Sequence, residues 1–329
     1  MNENNQSILI TGATGFVGSR LVGFLSSQFP EMELRLALRR RPEDLQVPSI
    51  LSVGSIEVVG DINPYTNWSN ALIGVDVLIH LAARVHVMKD VALDPLEEYR
   101  NANTLATIHL AQEAAKAGVK RFIYLSSIKV NGEETTPGQS YSEDSIPAPI
   151  DPYGVSKWEA ELGLEKVCAQ TGMEFVIIRP PLVYGPGVKA NFQKLMGLVA
   201  KGLPLPLGAV HNQRSMLALD NLVSFIAEVM TNPLAANQCF LLSDGEDVST
   251  SQLLKLLAKG MDKPSWLIPI PAFILRGLAQ VLGASSAADR LLGSLQIDSS
   301  KARELLHWQP PLSLEEGIAM AAKVYLKNS

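Results

Sequence analysis

Three glycines at three-residue intervals, in Thr11-Gly12-Ala13-Thr14-Gly15-Phe16-Val17-Gly18, separate a short apolar run, Ser7 to Thr11, from a helical pattern that reaches about Gln28. Strand, glycine-rich turn and helix are the parts of a parallel α/β unit, whose helix N-terminus offers free backbone N–H groups to an anion such as a dinucleotide pyrophosphate. Gly12 permits the tight turn, Gly15 lets the backbone approach the phosphates, and Gly18 lets the helix lie close on the strand. Thr14, Phe16 and Val17 share the loop and are candidate cofactor contacts with them. The spacing is G-x-x-G-x-x-G, which differs from the G-x-G-x-x-G of many dehydrogenases. Glycine-rich turns also serve purely structural ends, so the remaining chain must decide what this one holds.

The same alternation continues. Apolar runs at Leu34 to Leu38, Ile56 to Val59, Val75 to His80 and Arg121 to Leu125 have the length of buried strands, a helical pattern from about Glu97 to Ala117 precedes the last, and Glu174 to Ile178 supplies a sixth. Strands alternating with helices predict an α/β chain: a doubly wound parallel sheet (Rossmann) with a smaller, mainly helical C-terminal substrate-binding lobe. After Arg179 the alternation lapses, and Tyr184-Gly185-Pro186-Gly187, a helix around Asn191 to Ala200 and the run Gly202 to Gly208 read as insertions. The expected division is therefore residues 1–180 as an NAD(P)-binding domain, to which 216–242 returns through Leu219 to Met230 and Cys239 to Leu242. Residues 181–215 and 243–329 form the substrate-binding lobe.

Composition narrows the classes. With 28 basic against 33 acidic residues and a net charge of −5, nothing points to a nucleic-acid partner. The polar start Met1-Asn2-Glu3-Asn4-Asn5-Gln6 lacks the basic and apolar regions of a signal peptide, so the expected location is cytoplasmic. Cys168 and Cys239 have no metal-ligand spacing; both are expected to be buried thiols, and no metal site is expected. The apolar segment Leu267 to Gly283 is broken by Pro269, Pro271, Arg276 and Gly277. It reads as a buried or surface-docked helix, with a membrane-surface contact as the alternative, and not as a transmembrane span.

The stretch Asp151-Pro152-Tyr153-Gly154-Val155-Ser156-Lys157 carries the chemistry. Asp151 suits an N-cap and Pro152 the first helical position, which puts Tyr153 in the first turn and Lys157 one turn further on the same face. A cation near the phenol favours phenolate and lowers its pKa, making Tyr153 a general acid/base; the alternative is an ordinary capped helix. Ser127 ends the fifth strand run, and residues 131–150, with Pro137, Pro147 and Pro149, read as a long surface loop beside the helix start. Arg39-Arg40-Arg41 ends the second strand where an NAD site usually presents an acid, and the next carboxylate, Glu43, comes only after Pro42. Arginine there can meet a 2′-phosphate, which tilts the cofactor from NAD toward NADP; a solvated basic loop is the alternative. Asp61, before Ile62, can accept from an adenine amino group or simply form a turn. Leu81, Ala82 and Ala83 are small enough to let a cofactor cross the strand ends, and His80 reads as a satisfied strand-end histidine.

With these residues together, the chain resembles an extended short-chain dehydrogenase/reductase of the nucleotide-sugar epimerase/dehydratase family over nearly its whole length. Gly12, Gly15 and Gly18 match the family's phosphate loop, and Gly60-Asp61-Ile62 its adenine contact. Asn103 matches the asparagine of its long helix, and Ser127, Tyr153 and Lys157 its Ser-Tyr-Lys set. Arg179-Pro180 matches its Arg-Pro after strand six, Asn191 its sugar-nucleotide asparagine, and Arg214 its diphosphate arginine. The runs from His80 through Arg84 to Met88, from Ser126 to Gly132 and from Arg179 to Phe192 are similar to those of bacterial polysaccharide-precursor enzymes acting at C4 of UDP-N-acetylhexosamines.

The resemblance implies a UDP-sugar substrate contacted by Arg84, Ser127, Tyr153, Asn191 and Arg214, with Lys157, Asn103 and Pro180 on the cofactor. Tyr153 would move the proton of the C4 oxygen while hydride moves between C4 and nicotinamide, Ser127 would hold that oxygen, and Lys157 would hold the nicotinamide ribose. Ile128 and Lys129 stand where 4,6-dehydratases carry an Asp-Glu pair, which disfavours dehydration. The arginines at 39–41 put NADPH-dependent reduction of a UDP-4-keto-6-deoxy-N-acetylhexosamine ahead of UDP-sugar 4-epimerisation. A non-catalytic NADP-sensing regulator is the reading from another class, and a homodimer including the Tyr153 helix is the implied assembly.

Overall fold

The computed structural model describes residues 6–41, 53–85, 94–136, 138–283 and 285–328. Met1 to Asn5, Pro42, Glu43, His86 to Met88 and Pro137, which entered the sequence reading, lie outside the described residues. In chain order the strands and helices are β1 (Ser7–Thr11), α1 (Phe16–Gln28), β2 (Glu33–Leu38), β3 (Ser55–Val58), β4 (Val77–His80), α2 (Pro95–Tyr99), α3 (Ala106–Lys116), β5 (Arg121–Leu125), α4 (Pro152–Thr171), β6 (Glu174–Arg179) and β7 (Leu182–Tyr184). They continue as α5 (Ala190–Ala200), β8 (Arg214–Ala218), α6 (Leu219–Thr231), β9 (Gln238–Leu241), β10 (Asp247–Val248), α7 (Thr250–Gly260), α8 (Ala272–Val281), α9 (Ser285–Leu292), α10 (Ser300–Leu306) and α11 (Leu314–Lys327).

Seven strands form one sheet in the order β3-β2-β1-β4-β5-β6-β9, every pair parallel. Side-chain alternation explains why the strands read as continuous apolar runs. Ile8, Ile10, Val77, Ile79, Ile123, Val176 and Ile178 face one core with α1 and α6, whereas Leu9, Leu78, Phe122, Tyr124 and Ile177 face a second core with α3 and α4. A third core joins β7, α5, β8, α7 and α11 around Tyr184, Phe192, Met216, Leu257 and Ile318. Phe16 packs against the first core and the third, so the glycine loop is tied to both. Strand order reverses between β1 and β4, and their carboxyl ends at Thr11 and His80 form the crevice where ligands bind in such sheets.

Several expectations change in detail. The return to the main sheet is made by α6 and β9, while residues 214–218 pair with β7 and β10 in a separate three-stranded sheet. The single helix expected from Glu97 to Ala117 is three pieces: α2, capped by Asp94, a π-helical turn over Arg100–Leu105, and α3. Cys168 is buried but Cys239 is only half-buried, because it lies on β9 at the sheet edge. No residue of α8 is buried, so the apolar segment after Leu267 forms a surface helix. No helix among the described residues is long and apolar enough to cross a membrane.

Candidate active site

The glycine loop closes on the β1–β4 crevice. Gly12 has a φ of +71°, and a Cβ there would stand 2.8 Å from the Ala82 nitrogen. A Cβ on Gly18 would come within 2.1 Å of the Gly12 carbonyl oxygen, so only glycine lets α1 sit this close to the turn. Gly15 is the N-cap of α1 and provides no side-chain hydrogen bond, leaving first-turn N–H groups for a ligand. The crevice wall is held by Thr11, whose hydroxyl bonds His80 Nδ1 at 2.7 Å and accepts from the Ala82 N–H at 3.2 Å. His80 also contacts the Thr107 hydroxyl at 3.1 Å, which makes it the satisfied strand-end histidine expected. Burial, then the Lys157 charge, pushes its pKa down to about 3 and keeps it neutral. An open helix N-terminus and a cradle that a Cβ would fill fit a dinucleotide pyrophosphate.

Beyond β2, Arg39 forms an ion pair with Asp61, with both side chains 67% exposed. Two residues read separately, one for a 2′-phosphate and one for adenine, are thus brought together. Ile62 packs against the second core, and Leu81 and Ala82 line the turn after β4.

The helix that carries the tyrosine begins as expected: Asp151 caps α4 by accepting from the Gly154 N–H at 2.6 Å, and Pro152 occupies its first turn. Gly154 is needed because a Cβ there would stand 2.7 Å from the Lys129 carbonyl oxygen. That contact seats α4 against the Ser127 turn. Pro180 holds the turn from the other side, accepting from the Ile128 N–H at 3.0 Å, and the Ser127 hydroxyl hydrogen-bonds the Tyr153 side chain. Asn103 is buried in the π-helical turn, accepts from the Arg84 N–H at 2.8 Å and donates to the Arg84 carbonyl at 3.0 Å and the Ser156 hydroxyl at 3.0 Å. It therefore links the β4 turn to α4, and a π turn is a frequent mark of a functional site. Arg84 lies over the Tyr99 ring at 5.5 Å, and Tyr99 meets Tyr153 edge-on at 6.1 Å.

Lys157 is buried, donates to the Leu125 carbonyl at 2.9 Å and sits 4.5 Å above the Tyr124 ring, with the Tyr153 ring centroid at 5.9 Å. Here the structure corrects an expectation. The Tyr153 phenol is pushed up, by burial first and then by Asp151 and Tyr99, and the Ser127 hydrogen bond opposes this. Lys157 lies beside the ring, but burial outweighs any favouring of the phenolate, and the lysine's own charge is disfavoured. Burial lowers its pKa to about 7, against the opposing pull of Glu161.

The sequence reading missed the support behind this group. Arg179 and Glu161 form a buried ion pair at 2.5 Å, Arg179 also donates to Asn131 Oδ1 at 3.1 Å, and Ser126 hydrogen-bonds Glu161. Glu161 stands one turn beyond Lys157 on α4, which was the available signal. On the lobe side, Arg214 donates to the Gly293 carbonyl at 3.0 Å, and Asn191 stands exposed in the first turn of α5. Among the described residues Asn191 and Arg214 are not hydrogen-bonded to one another.

This arrangement matches known proteins along its length. Residues 8–240 match the model of the NAD dependent epimerase/dehydratase family. The chain belongs to that family. A UDP-glucose 4-epimerase of Vibrio cholerae is 45% identical over 98% of this chain and 96% of its own length. An N-acetyl-alpha-D-glucosaminyl-diphospho-ditrans,octacis-undecaprenol 4-epimerase of Escherichia coli O157:H7 is 28% identical over 95% of this chain and 93% of its own length. Among solved structures, the UDP-glucuronic acid 4-epimerase of Bacillus cereus in complex with UDP-glucuronic acid and NAD superposes with a TM-score of 0.78 at 23% identity, covering 98% of this chain and 100% of its own. This epimerase/dehydratase is therefore an enzyme, and the reading as a non-catalytic regulator falls away.

The buried lysine makes a testable trade in this family member. Between the pKa of about 7 in the fold and the ordinary 10.5, the unfolded chain binds the extra proton, so stability rises with pH across that window and the full penalty is present below it. Lys157→Met is expected to stabilise the protein at pH 7 by on the order of a few kcal/mol. The gain should shrink as pH approaches 10.5. Urea unfolding at several pH values checks this: a Lys157→Met variant less stable than the parent at pH 7 would show that the lysine's contacts outweigh its desolvation.

Proposed function

We propose that this enzyme is an NAD-dependent 4-epimerase of a UDP-hexose or UDP-N-acetylhexosamine. The carrying observation is the 45% identity with the Vibrio cholerae UDP-glucose 4-epimerase across 98% of the chain. The site chemistry supports it. A bound nicotinamide dinucleotide supplies the acceptor and donor of hydride. Tyr153, as phenolate, would take the proton from the C4 hydroxyl and return it to the same oxygen, with the positive charges of an oxidised nicotinamide and Lys157 offsetting the burial that raises its pKa. Ser127 hydrogen-bonds that oxygen, and Lys157 holds the nicotinamide ribose. Arg214 and Asn191 grip the diphosphate, where charge-assisted hydrogen bonds are strong. Gripping the nucleotide while leaving the sugar free to turn is what epimerisation needs.

The exposed Arg40 and Arg41 at the end of β2 favour a second reading, NADPH-dependent reduction of a UDP-4-keto-6-deoxy-N-acetylhexosamine. Pairing of Arg39 with Asp61 removes one cation from that argument. Incubation with UDP-glucose, UDP-N-acetylglucosamine and the 4-keto-6-deoxy derivative, with and without NADPH, separates the two. C4 epimers formed without added NADPH are expected; NADPH oxidation by the keto sugar alone, without interconversion, would reverse the assignment. Two copies are further proposed to pair through the outer faces around the π-helical turn and α4, where Leu105 and Leu162 are each 46% exposed. A light-scattering mass equal to one chain would exclude that.

A further inference from the structure

Among the described residues, seven of the 21 exposed large apolar residues fall between Trp266 and Leu282: Trp266, Ile268, Phe273, Ile274, Leu278, Val281 and Leu282. On α8 the half-buried positions Ala272, Leu275 and Ala279 form one stripe, and α8 packs on α9. Phe273, Ile274 and Val281 lie on the side away from that stripe, Phe273 at 75% and Val281 at 86% exposure, and Leu278 and Leu282, three and seven residues after Leu275, extend the apolar surface along its edge. The strap before α8 is fixed, since the Leu205 N–H donates to the Trp266 carbonyl at 2.9 Å and the Gly208 N–H to the Ile268 carbonyl at 2.9 Å. Leu203, 48% exposed, joins the patch from the same side.

Charge identifies what covers it. The two stretches that build the patch, 201–208 and 263–283, contain Lys201, Lys263 and Arg276, all exposed, and the exposed acid that adjoins them, Asp262, leaves the surface net cationic within a chain of net charge −5. A two-fold contact between copies would set this cationic face against itself. An anionic bilayer surface supplies both complements: headgroups for the cations and an acyl boundary for the apolar stripe, with tryptophan at the level between them. We propose that the α8 face docks this enzyme on an anionic lipid surface, with α8 lying in the plane of the interface. The arm is rooted beside the substrate side of the molecule, because α9 leads into Gly293, the residue that receives Arg214. The proposal does not depend on which C4 reaction the enzyme performs.

Full-length protein sedimented with vesicles tests it, using pure phosphatidylcholine and an equal mixture with phosphatidylglycerol. About tenfold or more tighter binding to the anionic mixture is expected, weakening with salt. Trp266, the exposed tryptophan, should shift its emission to the blue on binding. Arg276→Glu should lower the affinity, and Phe273→Ser/Val281→Ser/Leu282→Ser should abolish binding while turnover of a soluble UDP-sugar stays at the parent level, which reports that both variants fold. Failure to bind either vesicle, or equal binding to both, overturns the proposal. So does a triple variant that loses oligomeric mass in light scattering, since the face is then an interface between copies.

Discussion

Tyr153→Phe is expected to lower turnover by about a thousandfold or more, with overall stability changed by no more than about 1 kcal/mol. The ring keeps its edge-on contact with Tyr99, and α4 keeps its Asp151 cap, because neither involves the hydroxyl. What disappears is the group that exchanges a proton at the C4 oxygen and its hydrogen bond with Ser127. The loss should therefore fall on kcat, with dinucleotide affinity preserved when measured by fluorescence titration. Retention of most of the activity would remove Tyr153 from the proton-transfer role and leave Ser127 or a water to fill it.

The second large effect is expected at Glu161, which touches no reacting atom in the proposed mechanism and acts by positioning. Its carboxylate is fully buried between Arg179 and Ser126, beneath Lys157. Glu161→Gln leaves the Arg179 guanidinium buried without its counter-charge, a loss of about 3–5 kcal/mol. Replacing both partners by apolar residues, as in Glu161→Met/Arg179→Met, should recover most of it. A second readout separates positioning from simple stability. Because Glu161 raises the Lys157 pKa against burial, its loss should drop that pKa further below about 7. If turnover requires protonated Lys157, the alkaline limb of the pH–rate profile should move to lower pH in Glu161→Gln. An unchanged profile with lowered stability would confine Glu161 to a structural role.

Much of the fold was legible because its signals are local. Buried parallel strands read as apolar runs, and the start of α4 could be named from Asp151 and Pro152, since capping depends on residues within one turn. The glycine at 18 could be assigned to close packing, and the 2.1 Å approach of its missing Cβ to the Gly12 oxygen gives that assignment its physical content. Less legible was anything formed across the sequence. The resemblance makes Asn103 a candidate cofactor contact, while the clamp it forms between the Arg84 backbone and α4 runs through a π turn that periodicity does not reveal. Glu161 and Arg179 are 18 residues apart on different elements, and only the packing of α4 on β6 makes them a pair. The pKa of Tyr153 was misjudged in direction for a related reason: spacing on a helix shows that Lys157 is near, while desolvation depends on everything packed around both groups.

By itself, the sequence determined the six-strand alternation from β1 to β6, the glycine-rich turn and the Tyr153–Lys157 register, because backbone sterics, capping and side-chain periodicity act over a few residues. Tertiary structure decided which distant groups share a burial site, that Arg39 meets Asp61, that Lys157 is buried between the Leu125 carbonyl and the Tyr124 ring, and that α8 leaves an apolar face in water. These depend on long-range packing and on the loss of water around each group, and no spacing within one segment encodes them.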